Sequence, residues 1–207
     1  MMKIEKISPQ PDRAGRYLVQ FSDATTLRLY KQTVQDFGLY PGLEMTEQEW
    51  ENLKASHSRM SAKMRAVRIV SATSISRREL EHRLVQKGED PDSAKNAVDW
   101  MTELKLLDDE NTARQIVASC IAKGYGVARA KQALFEKRIP KEYWQNALAD
   151  YPDQSEYIAK YLRDHLPEEA DAKAVKKVTD ALIRRGHSYG SIRRMMDRED
   201  VLEEEYG

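Results

Sequence analysis

The chain has 207 residues, of which 33% are charged and 41% hydrophobic, and its 34 Lys and Arg balance its 34 Asp and Glu. This composition excludes a disordered chain, and no apolar run approaches the roughly 20 residues that a membrane-spanning helix needs. The N-terminal stretch lacks the apolar core of a secretory signal, and the single cysteine, Cys120, allows no internal disulfide, so we expect a cytoplasmic protein.

The first 30 residues differ from the rest and predict a small sheet. The segments "KIEKI", "RYLVQFSD" and "TTLRLYK" are short, roughly alternating and rich in β-branched and aromatic residues. This pattern is typical of an antiparallel meander, which needs a face to pack on and should rest on the helix that follows. After a short helix and a turn, Thr46 and Glu49 have the spacing of a capping box, which predicts a helix to about Lys54.

The remainder of the chain predicts only helices. The segment "SAKMRAVRIVSA" has helical periodicity, and Ser76 with Glu79 predicts the start of the next helix. Gly88 is placed to end that helix in a left-handed conformation, and Asp90 to cap a third helix. The predicted buried stripe of the third helix comprises Ala94, Ala97, Val98, Met101 and Leu104.

One fifteen-residue skeleton occurs three times, in residues 84–98, 134–148 and 182–196. Each copy starts with leucine, has a basic residue at the fourth position, turns at the fifth and ends on an apolar residue. The leucines Leu84, Leu134 and Leu182 are separated by 50 and 48 residues, a spacing typical of helical repeats. The second and third copies belong to predicted helices near 109–122, 127–137, 140–149, 153–166 and 170–185, and to a last helix capped by Ser188.

These patterns predict a mainly α fold of three tandem three-helix repeats in an elongated curved array, with a small β-rich N-terminal subdomain. The predicted domains are a β-rich extension with short helices at 1–58, repeat 1 at 59–107, repeat 2 at 108–152, and repeat 3 with an acidic tail at 153–207. The array needs no partner to fold, so a monomer is expected.

The chain offers no recognisable catalytic or cofactor chemistry. The four histidines, at 57, 82, 165 and 187, share no metal-ligand spacing with Cys120. The segment "KGYGVARAK" does not have the spacing of a phosphate-binding loop. No nucleophile and base are placed together in a known arrangement. We therefore predict no enzyme, no cofactor, no metal and no small-molecule substrate.

Charge is segregated along the chain. Residues 59–147 carry 17 Lys and Arg against 12 Asp and Glu, and residues 173–198 carry 8 against 2, whereas 148–172 and 199–207 are acidic. Basic blocks of this kind can neutralise a polyanion, or can be no more than solvated helix faces. The candidate contacts are Arg65, Arg68, Arg77, Arg78, Lys87, Arg114, Lys123, Tyr125, Arg129, Lys131, Lys137, Arg184 and Arg185.

Tyr125 and the helix pair of the first repeat each have competing interpretations. Tyr125 lies in a glycine-flanked loop beside basic residues, where it could stack on a base or fill the space between helices. Residues 76–101 could form a helix-turn-helix, but the helix that would enter the major groove, 91–104, carries Asp92, Asp99 and Glu103 against Lys95. An acidic helix is repelled by phosphates, so sequence-specific duplex binding is not predicted.

At this point the residues resemble a known family. Ser76, Arg77, Glu79, Leu80, Leu84, Lys87 and Gly88, followed by Leu107, Asp109 and Ala113, match a signature of the RecX family of regulators of the RecA recombinase. The resemblance covers about 59–198, and it is most specific in its first two thirds. One departure is Arg138, which stands where the other two copies of the skeleton have the turn glycine. If that position is left-handed, arginine costs roughly 1–2 kcal/mol there, and otherwise the turn has another form.

The resemblance implies a non-enzymatic protein that binds the RecA–single-stranded-DNA filament and mainly inhibits filament growth, ATP hydrolysis and strand exchange. Its expected partners are the RecA filament and single-stranded DNA, without a membrane. Two alternatives remain open at this stage. One is a single-stranded nucleic-acid-binding protein that acts without RecA, and the other is a helical-repeat scaffold for another protein.

Overall fold

The computed structural model describes the backbone of residues 1–167 and 170–206, and the side chains of this part up to residue 198. The predicted acidic tail, 199–207, therefore has no described side chains. The chain divides into two compact units, Met1–Leu107 and Asp108–Gly207. The mainly helical architecture with a small N-terminal antiparallel sheet is confirmed.

The sheet contains the three predicted strands and a fourth that the sequence did not reveal. The strands are β1 (Met2–Ile7), β2 (Arg16–Phe21), β3 (Thr26–Tyr30) and β4 (Glu44–Met45), in the antiparallel order β3-β2-β1-β4. Strand β4 is only two residues long, too short to show the alternation that marks a strand. The apolar face of the sheet buries Ile4, Val19, Phe21 and Leu29 together with Leu53 of the following helix, as predicted.

A long helix joins the sheet to the first repeat. Helix α1 (Lys31–Asp36) is followed by α2 (Glu47–Ala72), and the Thr46–Glu49 capping box is formed. The predicted end of α2 near Lys54 is wrong, and the helix crosses the predicted domain boundary at residue 58. No glycine or proline interrupts it. Two cores share the helix, because Leu53 packs against the sheet and Ala62 and Ala66 against the first repeat.

The first repeat is completed by α3 (Arg77–Gln86) and α4 (Pro91–Glu103). The predicted caps are present: Ser76 Oγ accepts from the Glu79 amide at 3.1 Å, and Asp90 Oδ2 from the Ser93 amide at 2.9 Å. Leu104, predicted to be buried, is exposed, because α4 ends at Glu103. Of the predicted stripe, Ala94, Ala97, Val98 and Met101 are buried, and Leu107 is buried with them.

The second unit contains the other two repeats. Their elements are α5 (Asp109–Ala122), α6 (Val127–Glu136), a 3-10 turn (Lys141–Tyr143), α7 (Trp144–Leu148), α8 (Ser155–His165), α9 (Ala172–Arg184) and α10 (Tyr189–Tyr206). Leu134 and Leu182 are fully buried in the cores of repeats 2 and 3 respectively. These bounds agree closely with the predicted helices.

The repeated skeleton is one type of helix end, a Schellman motif, at the C-termini of α3, α6 and α9. The residue at its fifth position is left-handed in every copy: Gly88 (φ 86°), Arg138 (φ 54°) and Gly186 (φ 88°). In each copy, the amide of this left-handed residue donates to the carbonyl of the residue at the second position, at 2.8–2.9 Å. The amide of the residue that follows it donates to the carbonyl of the first-position leucine, at 3.0–3.2 Å. These bonds satisfy carbonyls that the helix end leaves without partners.

Replacing Arg138 by glycine is expected to stabilise the second unit by roughly 0.5–1 kcal/mol. Glycine adopts positive φ without strain, and this gain is partly offset because glycine has more conformational freedom in the unfolded chain. Urea denaturation measures the change. Lys131→Gly is the matched control, since Lys131 is exposed within α6, and it should destabilise by about 1 kcal/mol. Equal effects of the two substitutions would contradict the strain at Arg138.

Candidate functional site

A basic groove of about 420 Å³ lies in the first unit, between the second half of α2 and α3. Its lining residues are Arg16, Arg65, Arg68, Ile69, Ala72, Thr73, Arg83 and Lys87. Five of these eight carry a positive charge. The apolar part, Ile69 with Ala72, lies on the α2 side of the groove. Such a surface attracts an anion that is long enough to contact several cations.

Carboxylates outside the groove lining hold three of its arginines in place. Arg65 Nε lies 2.6 Å from Glu89 Oε1, which also accepts from Ser61 Oγ at 3.0 Å. Glu89 is buried and directly follows the left-handed Gly88. The Schellman motif of α3 therefore places the carboxylate that orients Arg65.

The other two arginine–carboxylate pairs of the groove are also held by short hydrogen bonds. Arg83 Nε donates to Glu79 Oε1 at 2.7 Å, one turn away on α3. Arg16 donates to Asp12 Oδ2 from Nε at 3.0 Å and from Nη2 at 2.8 Å. The hydrogen bonds from Arg16 lower the pKa of Asp12 to about 2. The carboxylate is therefore ionised, and the pair persists, throughout the physiological pH range.

This arrangement leaves donors for an oxyanion. In the described part of the chain, Arg65 and Arg83 form their ion pairs through Nε, so the two Nη groups of each guanidinium are available as a fork. Arg68 donates to Met64 O at 3.2 Å and to Tyr30 Oη at 3.4 Å. Among the described residues neither Arg68 nor Lys87 forms an ion pair with a carboxylate. The groove thus retains uncompensated positive charge and forked donors, which suit phosphate groups.

The structure brings together only part of the predicted set. Arg65, Arg68 and Lys87 line the groove, and Arg77 and Arg78 lie at the start of α3. The candidates of the second unit do not line it: Arg114 pairs with Glu110 at 3.5 Å, Arg129 pairs with Glu136 at 3.1 Å, and Lys123, Lys131, Lys137 and Arg184 are exposed.

Sequence reasoning missed Arg16 and left Arg83 out of the candidate set. Arg16 belongs to a strand that is distant in sequence, so no local pattern links it to the groove. Arg83 did have a signal, because it precedes Lys87 by four residues and therefore lies on the same helical face.

Tyr125 and Arg185, both predicted contacts, belong to an internal cluster of the second unit. The guanidinium of Arg185 lies 5.1–5.9 Å from the ring centroids of Tyr125, Tyr157 and Tyr161, and its Nη1 donates to Tyr157 Oη at 2.6 Å. The carbonyl of Tyr125 accepts from Tyr151 Oη, also at 2.6 Å. Of the two interpretations of Tyr125, this geometry favours packing between helices.

His187 completes this cluster as a buried neutral ring. Its Nε2 lies 3.0 Å from Gly124 O, and since a carbonyl only accepts, Nε2 carries the proton. The ring stacks on Tyr157 with centroids 5.7 Å apart. Burial lowers the pKa of His187. The hydrogen bond to Gly124 opposes this effect in part, and the nearby charge of Arg185 adds a smaller lowering.

The lowered pKa makes the stability of the second unit pH-dependent. Below about pH 6.5 the unfolded chain binds a proton at this histidine more readily than the folded chain. The free energy of unfolding should therefore fall as the pH is lowered from about 7.5 through the ordinary histidine pKa of about 6.5, as measured by urea denaturation. His187→Gln keeps a donor for Gly124 O but does not titrate, so its stability should fall less over this range. An equal fall in both proteins would contradict the assignment.

The described residues contain no group of three or more His, Cys, Asp or Glu that could hold a metal ion. Within the same residues no helix is long and apolar enough to cross a membrane. Cys120 is buried, and burial raises the pKa of its thiol, which makes it a poor nucleophile.

Comparisons with known proteins indicate the same family that the sequence resembles. A family profile described as "RecX, second three-helix domain" matches residues 108–148. The chain is similar to proteins named "Regulatory protein RecX". One from Xanthomonas axonopodis pv. citri (strain 306) is 31% identical over 62% of this chain and 82% of the relative. Another from Clostridioides difficile (strain 630) is 24% identical over 94% of each.

Two solved structures share the fold. One, titled "Crystal structure of regulatory protein RecX", has a TM-score of 0.63 at 20% identity and covers 95% of this chain and 100% of that one. The other, "Crystal structure of RecX from Lactobacillus salivarius", has a TM-score of 0.59 at 20% identity and covers 70% of this chain and 99% of that one. At this identity the likeness concerns the fold alone.

Proposed function

The chain belongs to the RecX family of regulatory proteins, and on this premise we propose that it binds the RecA–single-stranded-DNA filament and mainly inhibits it. The inhibited steps are filament growth, ATP hydrolysis and strand exchange. The protein acts as a cytoplasmic monomer without a cofactor, and its effect comes from occupying the filament rather than from chemistry of its own.

The observation that carries this proposal is the basic groove. Five cations converge there, and three of them are arginines already oriented by carboxylates. Pre-oriented donors lose little conformational entropy when they bind phosphate, so they favour a nucleic-acid backbone over a free solvated state. Phosphate contacts of this kind position a protein without reading sequence, as a regulator of a filament on arbitrary DNA requires.

A titration of the RecA ATPase tests the proposal. Increasing amounts of the purified chain should slow DNA-dependent ATP hydrolysis at or below about one chain per recombinase subunit, at two DNA concentrations and two salt concentrations. No slowing across a wide titration would contradict the proposal.

The same titration separates the two alternatives. A protein that only sequesters single-stranded DNA would lose its effect when free DNA is in excess, and would weaken steeply with salt. A scaffold for another protein would bind neither the filament nor the DNA. Inhibition that persists in excess DNA supports direct action on the filament.

A further inference from the structure

The N-terminal sheet reaches the basic groove at one end, through Arg16 and Tyr30. In the register of the sheet, Arg16 of β2 stands directly opposite Tyr30 of β3, and two residues paired in this way carry their side chains on the same face. Arg16 lines the groove, and the Tyr30 hydroxyl accepts a hydrogen bond from Arg68 Nη2 at 3.4 Å. Two neighbouring strands therefore contribute to a groove that is otherwise built from α2, α3 and their C-terminal caps.

Tyr30 orients Arg68 without neutralising it. Within the described part of the chain, the guanidinium of Arg68 has two acceptors, which are Met64 O for Nε, at 3.2 Å, and Tyr30 Oη for Nη2. Both are uncharged oxygens, whereas Arg65 and Arg83 are held by carboxylates that cancel part of their charge. A hydroxyl partner therefore restricts the Arg68 side chain and leaves its charge and its remaining N–H groups available to a phosphate.

The hydroxyl of Tyr30 serves Arg68 alone. The side chain of Tyr30 is buried, and its backbone is the N-cap of α1, without a side-chain hydrogen bond to that helix. Among the described residues Arg68 is the one hydrogen-bond partner of this hydroxyl. The ring and the backbone account for packing and for the start of α1, so these functions do not require the hydroxyl.

The loop between β1 and β2 holds Arg16 in place. Asp12 Oδ1 accepts from the amides of Ala14 and Arg16, at 2.9 and 3.0 Å, and Asp12 Oδ2 binds the guanidinium of Arg16. Arg28 of β3 lies 3.6 Å from the same Oδ2. One carboxylate is thus shared by two arginines, so this group of three residues retains a net positive charge.

We propose that the N-terminal sheet is part of the nucleic-acid site, in which Arg16 binds the phosphate backbone directly and Tyr30 is a positioning residue that holds Arg68 for the same strand. This role rests on the proposed function, because it takes single-stranded DNA as the ligand. The β-rich segment then does more than pack on α2, since it supplies one phosphate contact and orients another.

A double-mutant cycle between Tyr30 and Arg68 tests the positioning role, by fluorescence anisotropy with the full chain and a single-stranded oligonucleotide. Tyr30→Phe should weaken binding about threefold, because one hydrogen bond to the guanidinium is lost. The slope of log affinity against log salt should not change, because no cation is removed. In the Arg68→Gln background the same substitution should change the affinity by less than about 1.3-fold. Tyr17→Phe is the matched control, since Tyr17 lies on β2 and its hydroxyl forms no hydrogen bond with a described residue.

A substitution that conserves net charge tests Arg16. Asp12→Asn with Arg16→Gln removes one charge of each sign, and asparagine keeps an oxygen for the two loop amides. Binding should nevertheless weaken about fivefold, because the forked donor is lost. Lys3→Gln with Glu44→Gln is the control, since it removes the 3.5 Å ion pair between β1 and β4, and it should change the affinity by less than about 1.5-fold. All variants should keep the melting temperature of the unmodified chain to within a few degrees.

Two results would overturn this role of the sheet. One is an effect of Tyr30→Phe that equals that of Tyr17→Phe, or that is the same with and without Arg68. The other is equal affinity of the two charge-conserving variants, which would confine the site to α2 and α3. A chain that binds the oligonucleotide in the expected pattern but does not slow the RecA ATPase would overturn the proposed function alone. A chain that slows the ATPase without this pattern would overturn the role of the sheet alone.

Discussion

Replacing Gly126 by alanine is expected to lower the free energy of unfolding of the second unit by about 3 kcal/mol. Gly126 precedes α6 with φ of −78°, which any residue adopts, so the effect does not come from backbone strain. An added methyl group at Gly126 would overlap the carbonyl of Gly186 and the amide of His187. These are backbone atoms of the facing repeat, and they cannot rotate away as a side chain can.

The overlap would also break the contact between repeats 2 and 3. The Gly126 amide donates to Arg185 O at 2.9 Å, and the His187–Gly124 hydrogen bond lies beside it. Hydrogen exchange measured by mass spectrometry should therefore show faster exchange in peptides from both repeats of the second unit, and unchanged exchange in peptides from residues 1–107.

Gly190→Ala is the control for this experiment. Gly190 lies in the first turn of α10, and an added methyl group there would contact nothing within 4 Å. Alanine also forms helices more readily than glycine, so this variant should be neutral or stabilised by up to about 1 kcal/mol. Equal stability of the two variants would show that repeats 2 and 3 can separate slightly at no cost, contrary to the packing described above.

Features that depend on a few neighbouring residues could be predicted from the sequence. The caps at Thr46, Ser76 and Asp90 have their partners three residues away, and the structure contains all three. The repeated skeleton likewise predicted its own turn, since the Schellman motif is closed by backbone bonds within six residues. The conformation of the turn at Arg138 could not be predicted, because arginine adopts positive φ only when the surrounding structure imposes it.

Features that depend on distant contacts could not be predicted. The continuation of α2 beyond Lys54 depends on two separate cores that meet on one helix. Strand β4 exists because Met45 pairs with Met2 of the neighbouring strand β1, which is distant in the sequence. The groove could not be predicted for the same reason. Its cations come from a strand and two helices, and Arg16 lies about 50 residues before Arg65 in the chain.

The charge balance of the groove decides which of its residues should dominate binding. Arg16, Arg65 and Arg83 are each paired with a carboxylate, so their net attraction to a distant phosphate is partly cancelled. Their role is to donate hydrogen bonds to a phosphate at short range, from side chains that the carboxylates already orient. In the described part of the chain Arg68 and Lys87 have no such carboxylate partner, so they contribute most of the long-range attraction and most of the counterion release.

The double substitution Arg68→Gln with Lys87→Gln should accordingly weaken binding to a single-stranded oligonucleotide and reduce its salt dependence. Each lost phosphate contact lowers the slope of log affinity against log salt by about 0.7, so two lower it by about 1.4. At about 0.1 M salt the affinity should fall roughly 25-fold, and the difference should vanish on extrapolation to about 1 M. Fluorescence anisotropy over a range of salt concentrations measures both quantities.

Lys95→Gln with Lys160→Gln removes the same charge from exposed sites outside the groove, and it should leave the slope close to that of the unmodified chain. This comparison separates a local site from a general attraction of the whole protein. A chain held to DNA only by its overall field would respond equally to both double substitutions, because that field depends on total charge. A chain that binds phosphates in the groove should respond only to the loss of Arg68 and Lys87, since release of condensed counterions requires close contact.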